Sequence, residues 1–74
     1  MMKEYEKYNV FEPSEVKMLA LHATDLYFAN MSEEEKRLLM SDPIKYTTMY
    51  AKIYKDTIEN IRTNDEFQVT RYRR

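Results

Sequence analysis

The chain contains no glycine, no cysteine and no tryptophan, only two prolines and a single histidine. Without glycine, positive-φ hairpin turns are disfavoured, and tight turns fall to residues such as Asn30, Ser41, Asp42 and Asn64. Without cysteine there is no disulfide, and one imidazole without thiols leaves the common metal sites nearly bare of ligands. Nothing approaches the ~20 consecutive apolar residues that span a bilayer. The segment from Met1 to Lys7 lacks the apolar stretch of a secretory signal, so the sequence reads as cytoplasmic.

What is present is the composition of a small soluble globule. Of 74 residues, 43% are hydrophobic and 34% charged, too much apolar patterning for a disordered chain and too much charge for a membrane one. A domain of this size hides only about 60% of the surface its unfolded chain exposes, so its core is small. With disulfides excluded, good helix packing or a second copy of the chain is what remains to stabilise it. The net charge of −1 creates no global pull toward nucleic acid. The charge is uneven, however: residues 1–42 are acidic on balance and residues 43–74 basic.

Periodicity predicts an all-α (mainly) chain: one compact three-helix domain over residues 1–74, with helices at about 13–30, 33–41 and 43–62 and a C-terminal tail at 63–74. Pro13 and Pro43 each sit where a helix begins, fixing φ where no amide partner is needed. In the first helix Val16, Leu19, Ala20, Ala23, Leu26 and Tyr27 recur at three and four and are expected to form the core stripe. Lys17, Leu21, Thr24 and Phe28 form a second stripe that needs other cover, from Tyr5, Tyr8, Val10 and Phe11 or from a partner. Ser32 followed by Glu33, Glu34 and Glu35 is a capping box that opens the second helix, and Asp42 caps the third. The third helix gathers Tyr46, Met49, Tyr50, Ile53, Tyr54, Ile58 and Ile61 on one side, an apolar arc wider than one neighbour requires. Its other side is charged, with Lys52–Asp56 and Lys55–Glu59 spaced for ion pairs. The expected core is Val16, Leu19, Ala23, Leu26, Leu39, Tyr50, Ile53, Tyr54, Ile58 and Ile61. Beyond Asn64 the period changes to two, and the segment Phe67 to Tyr72 is expected to pair as a strand with Tyr8 to Phe11, within one chain or between two, or else to fray.

Chemistry is sparse. Glu15, His22 and Asp25 share the polar side of the first helix, but acid-base or metal chemistry needs groups converging from several elements, and no glycine loop is present to cradle phosphate. No catalytic, cofactor-binding or metal residue is assigned, and the chain is read as a non-enzyme without cofactors. The second and third helices loosely resemble a helix-turn-helix, with Lys45, Thr48, Lys52, Lys55 and Arg62 as the candidate nucleic-acid face. Asp56 and Glu59 interrupt that face. The ending Arg71-Tyr72-Arg73-Arg74 is basic with one aromatic, suited to phosphate or to an acidic protein surface. Tyrosine, seven in the chain, combines large contact area with one hydrogen bond and is favoured at interfaces.

These residues point to binding rather than to catalysis. The expectation is a small protein-binding regulator or inhibitor that dimerises, with Leu21, Phe28, Tyr46, Arg71, Tyr72, Arg73 and Arg74 at the partner surface and Phe28 as an exposed anchor. The alternative is a nucleic-acid binder using the third helix and the Arg-rich end. In style, a short Lys-, Tyr- and Met-rich chain without Gly, Cys or Trp resembles the small accessory proteins of phages and mobile elements, many of which act on a host protein.

Overall fold

The computed structural model describes residues 5–72. In chain order these form strand β1 (Tyr5–Asn9), helix α1 (Pro13–Ala29), helix α2 (Glu33–Met40), helix α3 (Pro43–Thr63), a 3-10 turn at Asp65–Phe67 and strand β2 (Gln68–Tyr72). The protein is mainly α, with the three helices expected from periodicity and a short two-stranded antiparallel sheet formed by the terminal segments.

Each helix starts where local chemistry satisfies its first amides. Ahead of α1 the Glu12 amide donates to Glu15 Oε1 at 2.8 Å. Ser32 Oγ accepts from the Glu35 amide at 3.2 Å to open α2, and Asp42 Oδ1 accepts from the Lys45 amide at 3.1 Å to open α3. Removing such a cap typically costs about 1 kcal/mol. No described residue has a positive φ, so the glycine-free chain turns from α1 to α2 and from α2 to α3 with ordinary backbone geometry.

Helices α1 and α3 run antiparallel. Phe28, at the end of α1, packs on Tyr46 and Tyr50 near the start of α3. At the opposite end, Asn9 Nδ2 donates to the Ile61 carbonyl at 2.7 Å while its Oδ1 accepts the Phe11 amide at 2.9 Å. Gln68 Nε2 donates to the Arg62 carbonyl at 2.9 Å. Two side chains from the terminal strands thus satisfy carbonyls that the end of α3 leaves without a helical partner. Phe11 and Phe67 pack with ring centroids 6.0 Å apart, joining sheet to helices.

The buried face of α1 matches the expected stripe at Val16 and Ala20 and departs from it elsewhere. Val16, Ala20, Thr24 and Phe28 meet α3, whereas Leu19 and Leu26 are 37% and 61% exposed and Tyr27 half-exposed. The reason is shape. Ala20 and Thr24, both at 0% exposure, are small enough to be enclosed whole where α1 meets α3. Thr24 keeps its hydroxyl satisfied by donating to the Ala20 carbonyl at 2.7 Å. Leu39 and Ile61 are buried as expected, while Ala23, Tyr50, Ile53, Tyr54 and Ile58 are half-buried. Among the described residues the ion pairs are Lys7–Asp65 at 3.3 Å and Lys36–Glu33 at 3.7 Å, so the expected Lys52–Asp56 and Lys55–Glu59 pairs do not form.

The strands pair within one chain, from Tyr5 opposite Tyr72 to Asn9 opposite Gln68. The Val10 amide extends the ladder to the Phe67 carbonyl at 2.8 Å. A two-stranded sheet is marginal alone. Here Lys7–Asp65, the Asn9 staple and the Arg71 guanidinium 5.9 Å over the Tyr8 ring add to it. The molecule measures 56 × 18 × 17 Å, two helix diameters across at most. No described helix is long and apolar enough to cross a membrane.

Candidate functional site

Where α2 folds across the end of the helix pair, the three helices enclose an apolar cup of about 470 Å³, open on one side. The last turn of α1 supplies Phe28 and Ala29, the connection supplies Met31, and α2 contributes Leu39 and Met40. Pro43 and Tyr46 close it from the start of α3, and Asp25 and Lys36 are its two charged residues.

Its floor is an aromatic cluster. The Phe28 ring lies parallel to Tyr50 (interplanar 4°, centroids 5.7 Å), is 5.0 Å from Tyr46, and takes Tyr27 edge-on at 5.3 Å. Tyr46 and Tyr50 are themselves 6.0 Å apart. Spacing of four residues on α3 puts both phenols over the end of α1, and each such pair adds about 0.5–1.5 kcal/mol beyond burial. The Tyr50 hydroxyl donates to Asp25 Oδ1 at 2.7 Å, tying α3 to α1 beside the cup. That bond to a carboxylate, with desolvation and the negative charge of Asp25 behind it, pushes the Tyr50 phenol up to about 12 from its ordinary 10.0. It remains a neutral donor throughout the physiological range.

The lip of the cup is unusually apolar. Met40 is 80% exposed, and Leu38 and Ile44 nearby are also mostly exposed. Three consecutive apolar residues on an eight-residue helix cannot all face inward, and of Leu38, Leu39 and Met40 only Leu39 does. A second, shallower depression lies against Leu38, Leu39, Met31 and Met49.

The structure redistributes the residues expected at a partner surface. Tyr46 does line the cup. Phe28 is not an exposed anchor: it is 8% exposed and forms the floor, covered by the tyrosines of α3 and not by the N-terminal segment. Leu21 is exposed but lies outside the cup. Arg71 sits in β2 against Tyr8. Tyr72 pairs through its backbone with Tyr5, and its side chain, like Arg73 and Arg74, lies outside the described residues. Of the candidate nucleic-acid face, Thr48, Lys52 and Lys55 border one shallow depression that Asp56 also lines. Lys45 lies in the other depression and Arg62 is exposed near the end of α3. Glu15, His22 and Asp25 are all exposed on α1, Asp25 is engaged by Tyr50, and no group of His, Asp and Glu among the described residues is placed to hold a metal.

Periodicity alone did not reveal Ala29, Met31, Met40 and Pro43, because the cup is made by the angle between helices. The available signal was the run Leu38-Leu39-Met40 beside Pro43, and the tyrosine spacing matched to Phe28 on α1. No family model, no curated protein sequence and no solved structure matches this chain.

Proposed function

We propose that this protein is a small binding protein, a regulator or inhibitor without catalytic activity, which takes an apolar segment of another protein into the cup between α1, α2 and α3. The observation that carries this reading is the Met40 lip over the Phe28–Tyr46 floor: a large apolar side chain left 80% exposed at the mouth of an apolar cup. Interfaces draw most of their energy from a few aromatic and apolar anchors seated in such desolvated pockets. The volume exceeds what one side chain fills and suits two anchors four residues apart on an amphipathic helix. Asp25 and Lys36 give a docking helix one polar contact of each sign.

Nucleic-acid binding has weaker support. Asp56 shares the depression of Lys52 and Lys55, and opposite charges there oppose a row of phosphate contacts.

Because Met40 is so exposed, Met40→Asp leaves folding nearly intact while placing a charge at the mouth. Capture of a protein by the immobilised chain from a lysate of its source organism should fall tenfold or more in Met40→Asp, and should be unchanged in Lys52→Glu. Equal capture by wild type and Met40→Asp would refute the cup as the binding site.

A further inference from the structure

Helix α1 has only three charged residues in seventeen, Glu15, Lys17 and Asp25, and its apolar residues go all the way round. A helix of that kind is normally covered on every side. Here α3 covers one face, and the rest of the helix surface presents Met18, Leu19 and Leu26 to solvent beside Glu15, His22 and Asp25. What singles α1 out is the apolar flank beside those polar residues, where Leu19 and Leu26 stand exposed next to Ala23, whereas the outer face of α3 carries Lys52, Lys55, Asp56 and Glu59.

We propose that the uncovered face of α1 is a self-association surface, and that its occupant is α1 of a second copy, packed antiparallel about a two-fold axis. Three observations fix the occupant. The chain exposes 6597 Å², whereas a folded monomer of 9.1 kDa exposes about 4900 Å²; the excess more than covers the ~800 Å² that one partner gives to a standard interface. The radius of gyration is 17.1 Å, against about 11 Å for a compact chain of this length. A second two-helix layer stacked on the first turns a thin rod into a four-helix packing of ordinary thickness.

The third observation is self-complementarity. Leu19, Ala23 and Leu26 follow one another at four and then three residues, the spacing of an interhelical seam. With the axis between His22 and Ala23, Leu19 meets the partner's Leu26, Leu26 meets the partner's Leu19, and at the centre the small Ala23 leaves room for the partner's His22. An isologous interface needs that reciprocity. Glu15 at one end of the seam meets the partner's Asn30, so no like charges are opposed. The cup at the α2 end lies on other side chains and stays open in such a dimer, so the two proposals stand or fall separately.

Sedimentation equilibrium of the wild-type chain at micromolar concentration should give twice 9.1 kDa. Leu26→Glu alters a side chain that is 61% exposed and enters the dimer twice, so association should weaken by about a hundredfold, tenfold for each copy. Circular dichroism on the same sample reports whether the helices persist. Should that variant fail to fold, single cysteines in the otherwise cysteine-free chain decide the matter: a short bismaleimide should join Ala23→Cys chains and leave Lys55→Cys chains unjoined. A wild-type monomer throughout the micromolar range, a dimer that Leu26→Glu leaves intact, or equal cross-linking from both cysteines would overturn the proposal.

Discussion

Truncating Phe28 to alanine tests whether the aromatic cluster organises the helix pair. Phe28 is 8% exposed and its ring touches three tyrosines, Tyr27, Tyr46 and Tyr50, at centroid distances of 5.0 to 5.7 Å. Removing a buried phenylalanine costs about 3–5 kcal/mol from lost transfer energy and the cavity left behind. Relief is limited here, because the cup is already open on one side and its walls belong to three different helices. A chain of 74 residues has a total stability of about 4–11 kcal/mol, so the substitution removes from about a quarter to all of it. In a domain of this size each kcal/mol is about 4–8 °C in Tm, and Phe28→Ala should therefore lower Tm by about 12 °C or more. Thermal unfolding followed by the helical circular dichroism signal measures it. A shift under about 4 °C, equivalent to less than about 1 kcal/mol, would show that Phe28 is not a core residue and would restore it as a surface anchor.

Three further outcomes follow from the same packing. The Tyr50 phenol, pushed up to about 12 by its bond to Asp25, should titrate well above 10.0 when absorbance at alkaline pH is followed, and Asp25→Asn should bring it back toward 10.0. Because its folded pKa is raised, the stability it contributes is present below the unfolded value of 10.0 and is lost as pH climbs toward 12; no such loss in wild type relative to Asp25→Asn would contradict the bond. Ala20→Leu should destabilise by about 1–3 kcal/mol or more through overpacking at the α1–α3 contact, whereas Leu19→Ala should cost little of the monomer's stability, and the reverse order in urea unfolding would reinstate the originally expected core stripe. Asp42→Ala should cost about 1 kcal/mol through loss of the α3 cap, read as a fall of several degrees in Tm, and an unchanged Tm would mean that Asp42 does not hold the start of that helix.

The helices were legible because their punctuation is local. Pro13 and Pro43, the Ser32 cap and the Asp42 cap each act within a few residues, and periodicity supplied the rest. The face of α1 was not legible. Its apolar residues run all the way round, so counting hydrophobic positions favoured Leu19 and Leu26, the larger side chains. What decided the matter was how α1 packs on α3, which encloses the small Ala20 and Thr24 whole and sets Phe28 against Tyr46 and Tyr50. Those are properties of the pair, invisible in either helix alone. The terminal strands show the same dependence: the alternation from Phe67 to Tyr72 suggested a strand, but its pairing within one chain rests on Asn9 reaching Ile61 across the fold. At the site, Tyr46 was identified from its spacing and chemistry. Met40 was not, since its value lies in being left outside by the geometry of α2.

Site-specific photo-cross-linking tests the binding account most directly. A photoreactive phenylalanine analogue in place of Met40, at the mouth of the cup, and separately in place of Lys55, on the outer face of α3, would be irradiated in a lysate of the source organism. The account predicts a discrete adduct of the chain with another protein from position 40, heavier than one chain and distinct from two joined copies, and none from position 55. An adduct from position 55 with none from position 40 would contradict it.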